Sequence, residues 1–218
     1  MTGDRIFSIA QRHRPREGLT ISTPAGISSE NGVTYFSLGA GTDISPEAYA
    51  RLVLYLGIDG TGTFLTGEVR EERDVGPGEL LAVVPGTLVG VKTKAGFVYA
   101  EIMPREEITM NPLVKSGEVF RVADLVPYEK GSIVNLDIAS NDAMKFVVMA
   151  FDEGTGLSPH RAPGDALVFA LEGAAVIGYE GRDYPIEAGQ TFRFDKGGLH
   201  SVTADSTFKM ALLLVLDE

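Results

Sequence analysis

The chain has 218 residues, 44% of them hydrophobic, with 26 glycines, 11 prolines and a formal net charge of −11. Cysteine is absent, which excludes disulfides and thiolate metal sites and fits a reducing, cytoplasmic compartment. The acidic balance argues against a nucleic-acid partner, which needs a basic face, and no run of about 18 apolar residues is present to cross a membrane.

The opening stretch "MTGDRIFSIAQRHRPREG" lacks the long apolar region of a secretory leader. Residues 1–17 read as a short N-terminal segment with a helical tendency. Arg12, Arg14 and Arg16 read there as a solvated stretch and His13 as a surface residue. Strand signals dominate from residue 18. "YFSL", "RLVLYLGI", "TFLTGEV", "ELLAVV", "GVKT" and "FVYAEIM" are short runs rich in Val, Leu, Phe and Tyr, bounded by Gly, Pro or Asp. "SPEAYARL" is the second helical candidate. Residues 105–130 are charged and contain Pro and Gly, yet carry apolar pairs, so they read as a connector that packs rather than swings free. "GSIVNLDIAS" opens a second series, continued by "KFVVMAF", "ALVFAL", "AAVIGYE", "DYPI", "TFRF", "HSVTA" and "KMALLLVL". Asp59-Gly60, Lys94-Ala95-Gly96 and Glu180-Gly181 read as turn centres. Many short strands at close spacing predict an all-β, antiparallel chain, with one domain over 18–104 and another over 131–218.

The two series repeat one frame. "GTDISPEAYARLVLYLGIDG" begins at Gly41, and "GTGLSPHRAPGDALVFALEG" begins 113 residues later at Gly154. Gly60 then pairs with Gly173, and Glu47 stands where His160 stands. Further on the offset is 111, so that Gly78 pairs with Gly189, Gly86 with Gly197, Leu88 with Leu199 and Val89 with His200. "FVYAEIMP" at 97–104 matches "FKMALLLV" at 208–215. A two-residue length change is cheap in a surface turn. Two copies are too few for a solenoid, so the pattern indicates a duplicated domain.

The second copy resembles a cupin. One cupin signature runs from a glycine through His-x-His and a glutamate to a glycine turn. The other is Gly-x5-Pro-x-Gly-x2-His-x3-Asn. "GQTFRFDKGGLHSVTA" matches the second at Gly189, Gly197 and His200, with Asp195 for the proline and Ala204 for the asparagine. "SPHRAPGDALVFALEG" matches the first, with His160 on the first histidine, Ala162 on the second and Ala166 on the glutamate. The resemblance spans nearly the whole chain and implies two tandem antiparallel jelly-roll barrels, a bicupin. In the family the His-x-His pair, the carboxylate and the last histidine converge on a divalent transition metal, because residues i and i+2 of a strand share a face. This chain retains His160 and His200. Asp165 lies one residue from the glutamate slot and would serve as a third ligand only if the chain bulges at Pro163-Gly164. The alternative is that His160 and His200 line a pocket for a small polar or acidic molecule. The first copy has Glu47, Tyr49, Val53 and Val89 in the four slots and so no metal set; Glu47 reads as a solvated residue at the barrel mouth.

Three function classes stay open. They are a protein binding a small polar or acidic molecule in the C-terminal barrel, a metal-dependent enzyme of oxygenase, isomerase or decarboxylase type, and a structural protein with filled barrels. Ala162, Ala166 and Ala170 leave room beside the histidines unless larger neighbours fill it. In "DALVFALEG" both strand faces are apolar and need cover, from the other domain or from a second subunit; a homodimer is expected.

Overall fold

A computed structural model describes residues 5–27 and 32–216. In chain order the elements are β1 (Ile6–Phe7), α1 (Ile9–Arg12), β2 (Thr20–Pro24), β3 (Gly32–Leu38), β4 (Asp43–Ala48), β5 (Val53–Gly60), β6 (Gly62–Thr66), β7 (Glu71–Val75), β8 (Glu79–Val83), β9 (Leu88–Lys92), β10 (Phe97–Met103), β11 (Thr109–Met110) and β12 (Val119–Arg121). A 3₁₀ turn (Val122–Leu125) follows, then β13 (Ile133–Ser140), β14 (Met144–Phe151), β15 (Gly156–Arg161), β16 (Asp165–Glu172), β17 (Ala174–Tyr179), β18 (Arg182–Glu187), β19 (Thr191–Phe194), β20 (Leu199–Ala204) and β21 (Phe208–Val215). The chain is all-β. It divides into an N-terminal unit, Ile9–Arg121, and a C-terminal unit formed by Val122–Glu218 with Met1–Ser8.

Each unit is a jelly roll of two antiparallel sheets, and the two follow one plan. In the N-terminal unit the larger sheet runs β12-β8-β5-β10-β3-β2 and the smaller β4-β9-β6-β7. In the C-terminal unit the larger runs β1-β19-β16-β21-β14-β13 and the smaller β15-β20-β17-β18. The duplication read from the sequence is therefore a duplication of topology over these ten strands of each unit. Even the edges correspond: β12 adds to β8 as β1 adds to β19.

Alternation places one residue in two inside each barrel. Tyr55, Phe64, Phe97, Tyr99 and Val91 fill the N-terminal core. Val168, Ile177, Phe192, Phe194 and Met210 fill the C-terminal one. The opposite faces of the central strands are buried too, at Leu54, Leu56 and Ala100 and at Leu167, Phe169 and Leu213. This is why those strands read as unbroken apolar runs.

The recurring glycines answer to backbone geometry. Gly60 and Gly173 both have positive φ, 72° and 71°. A Cβ on them would lie 2.2 Å from the Gly96 carbonyl oxygen and 1.9 Å from that of Thr207. No larger residue fits either turn. Glu180 and Gly181 form the tight hairpin between β17 and β18, with φ of 49° and 77°.

Two sequence expectations are corrected. "SPEAYARL" is not a helix: its first half lies in β4, where Ile44 pairs with Val91 and Glu47 with Val89. Cross-strand pairing outweighs the modest helix propensity of Glu-Ala-Tyr-Ala. His13 is half-buried rather than on the open surface, its ring 5.1 Å from that of Tyr35. Arg12, Arg14 and Arg16 are exposed as expected. Within 105–130, Ile108, Val114, Val122, Ala123 and Val126 are buried, so the segment packs. No helix among the described residues is long and apolar enough to cross a membrane.

Candidate functional site

The smaller sheet of the C-terminal unit brings the two retained histidines together. β15 and β20 are antiparallel neighbours, and a register irregularity between Leu157 and His160 sets His160 directly opposite His200. The ring centroids are 4.1 Å apart and the planes are tilted by 53°. His160 Nδ1 lies 2.9 Å from the Ser158 carbonyl and His200 Nδ1 lies 3.2 Å from the Gly198 carbonyl. A carbonyl only accepts, so each Nδ1 carries the hydrogen and donates it. In the neutral ring Nε2 is then a bare acceptor. Each ring of the pair thus keeps one Nε2 lone pair that its backbone hydrogen bond does not use.

Their surroundings differ. His160 is exposed, whereas His200 is buried. Burial lowers the His200 pKa below the ordinary histidine value and the nearby His160 adds to this, against the opposing effect of the Gly198 hydrogen bond. The His200 ring packs on Phe194, centroids 4.1 Å apart. Across the strand pair His200 faces Tyr179. The Arg5 guanidinium lies 4.6 Å above the Tyr179 ring and donates to Asp195 at 2.6 Å. Arg5, immediately before β1, thus braces Tyr179, the cross-strand neighbour of His200.

Room beside the alanines is taken up by neighbouring strands. Ala166 pairs across to Phe194 and Val168 to Phe192. Ala162, Ala166 and Ala170 are buried in one cluster with Tyr179, Phe192 and Phe194. The His200 ring lies against this cluster through Phe194, and His160 stands exposed beside it.

Asp165 does not join them. The chain bends at Pro163-Gly164, but Asp165 accepts a hydrogen bond from the Lys196 backbone N–H at 2.7 Å, and its other oxygen lies 3.6 Å from Arg193. Among the described residues no three His, Cys, Asp or Glu side chains gather as a metal would require. Two imidazoles alone do not fit a centre that ordinarily takes three protein ligands and one open position.

The decisive comparison is with known folds. The Cupin domain family matches residues 147–216. A cupin 2 conserved barrel domain protein from Leptotrichia buccalis superposes with a TM-score of 0.87 at 22% identity, over 99% of this chain and 98% of that one. This is a cupin-fold protein. The cupin fold also aligns it with salicylate 1,2-dioxygenase from Pseudoaminobacter salicylatoxidans, at TM-score 0.69 and 10% identity over 96% and 81% of the two chains. A Bacillus subtilis oxalate decarboxylase aligns at TM-score 0.57 and 13% identity over 99% and 78%. No curated protein matches the chain.

In the N-terminal cupin barrel Glu47 faces Val89 across β4 and β9, in the register that joins His160 to His200. Glu47 is exposed, as the sequence suggested. What the sequence reading missed lies on β10. Glu101 is a single carboxylate in the run "FVYAEIM" and is only 9% exposed. A lone acid on the inward parity of a central strand was the available signal.

Proposed function

We propose that this cupin-fold protein binds a small polar or acidic molecule at the His160/His200 pair of the C-terminal barrel. The observation that carries the reading is the matched tautomer: both Nδ1 hydrogens are given to backbone carbonyls, which leaves both Nε2 atoms as acceptors. A carboxylate arriving from neutral solution binds with uptake of one proton, which settles on an Nε2 and turns the acceptor into a charged donor. Two cupin-fold neighbours are named for small carboxylic acids, salicylate and oxalate, which favours the acidic class.

The test is calorimetric titration of oxalate, malonate and acetate into the full chain at pH 6 and pH 8, in buffers of different ionisation enthalpy. Binding is expected to take up a proton, to weaken about tenfold or more at the higher pH, and to be lost in a folded His200→Ala variant. Absence of millimolar binding by all three acids, or unchanged binding in that variant, defeats the reading. A transition metal near one per chain that disappears in His200→Ala would replace it with the metal-site alternative.

A further inference from the structure

β10 turns Phe97, Tyr99 and Glu101 into the N-terminal barrel. There Glu101 lines a small cavity with Phe36, Tyr49, Tyr55, Phe64 and Tyr99. The rings form one connected wall. Phe36 stacks on Tyr99 at 5.0 Å, Tyr55 meets Phe64 at 4.8 Å, and both Tyr55 and Phe64 stand edge-on to Tyr99 at 5.9 Å and 5.7 Å. The free space is about 20 Å³, room for one water-sized group.

A buried carboxylate is costly unless a cation or several donors hold it. Among the described residues no hydrogen bond or ion pair ends on the Glu101 carboxyl group. The charged group that acts on it is Glu47, and Glu101 in turn raises the pKa of Tyr49, Tyr55 and Tyr99, so its titratable neighbours are all acids. Burial, and after it Glu47, raises the Glu101 pKa to about 7. A base is missing from a lining that otherwise has the parts of a cation receptor: one carboxylate, three phenols and a wall of aromatic rings.

We propose that this cavity seats the ammonium head of a small primary amine, with Glu101 as its counter-charge. An ammonium head is water-sized and carries three N–H donors. These reach the carboxylate and the phenol oxygens while the charge lies against the rings. The rest of the amine projects past Ile44 toward the exposed Glu47, which adds a second negative charge at the mouth. A quaternary ammonium is too large for the space and has no N–H to give. A bare alkali ion brings charge without directed hydrogen bonds. The C-terminal barrel lacks this site: in the matched frame Leu212 stands for Glu101, Met210 for Tyr99, Val168 for Tyr55 and Ala162 for Tyr49. The two barrels are thus built for opposite ligands, an amine in the first and an acid in the second.

The experiment is titration of methylammonium into the full chain, followed by calorimetry and by tyrosine emission. Tryptophan is absent and three of the seven tyrosines line the cavity, so the optical signal is local. Potassium and tetramethylammonium at equal ionic strength are the controls. Methylammonium is expected to bind at least tenfold more tightly than either control. Its affinity should rise as the pH passes through about 7 and Glu101 loses its proton. Glu101→Gln, checked for folding by circular dichroism, should lower the affinity at least tenfold. No methylammonium binding, equal binding of either control, an affinity flat across that pH range, or full affinity in folded Glu101→Gln would each overturn the proposal. The selectivity and pH arms use the unaltered protein, so the test stands if the variant does not fold.

Discussion

At the scale of single residues, two buried ionisable groups lie in opposite barrels, and both are shifted toward their neutral form. His200 is held below the ordinary histidine pKa chiefly by burial and secondly by His160. Removing His160 takes away a neighbouring positive charge, so in His160→Ala the His200 pKa should move up, provided burial is unchanged. Imidazole resonances followed by NMR across pH 4–8 read this directly, and a downward move would show that the two rings are not electrostatically coupled. Glu101 is shifted by the same physics with the opposite sign, because desolvation penalises an anion as it penalises a cation. Its carboxyl carbon should titrate near pH 7 rather than near its ordinary 4.5. A titration below pH 5 would mean that the site is wetter than its burial indicates.

At the scale of elements, the repeated turns carry a prediction that separates two effects glycine usually mixes. Gly67 and Gly173 share nearly the same φ, 72° and 71°, but a Cβ on Gly67 meets open space while one on Gly173 strikes the Thr207 carbonyl. Gly67→Ala should therefore cost only the left-handed backbone strain, about 1–2 kcal/mol. Gly173→Ala should cost distinctly more, or prevent folding, since the strand entry must also shift. Denaturant unfolding of both variants checks this, and equal costs would reject the close approach. The floor of the histidine site depends on another close approach. A Cβ on Gly198 would sit 2.5 Å from the Tyr179 ring. Gly198→Ala should disturb the carbonyl that fixes the His200 tautomer, and should weaken oxalate binding more than it weakens the fold.

At the scale of the whole molecule, the opposed shifts shape stability against pH. Glu101 has a folded pKa above its unfolded value. Its contribution is fully present below about 4.5 and is lost as the pH rises through about 7. The span corresponds to at most about 3–4 kcal/mol, at about 1.4 kcal/mol per pH unit. His200 has a folded pKa below its unfolded value, so its contribution is present above about 6.5 and falls as the solution becomes more acid. Asp195, held low first by its hydrogen bond from Arg5, likewise contributes above its unfolded pKa and is lost on acidification. Glu101→Gln should remove the only one of these three terms that declines with rising pH. Compared with the parent, the variant should gain stability steadily from pH 5 to pH 8 in chemical denaturation. A constant difference between the two curves would show that Glu101 is not buried as a titrating acid. The homodimer expected from two-faced apolar strands is a separate proposal. The outer faces are already buried in the single chain, so those strands do not by themselves demand a second subunit. Light scattering that reads the 23.3 kDa of one chain ends the dimer proposal.

The sequence by itself determined the strand content and the duplication, and its cupin resemblance implied that His160 and His200 converge; that they face each other across β15 and β20 is read from the structure. Strand runs show in local alternation and turn residues, and a repeat at constant offset carries equivalence with it: once His160 faces His200, the aligned Glu47 faces Val89 in the other barrel. Only the tertiary structure decided what surrounds those positions. Asp165 is adjacent to the glutamate slot in sequence, yet backbone Lys196 and the Arg193 side chain hold it elsewhere. The alanines that promised space are filled by phenylalanines from β19, a strand more than twenty residues along the chain. Glu101 gained its character from aromatic residues on other strands, whose convergence no local pattern records. Register is a one-dimensional property that a repeat can print twice. Burial, ion pairing and free volume depend on which distant side chains arrive at the same place.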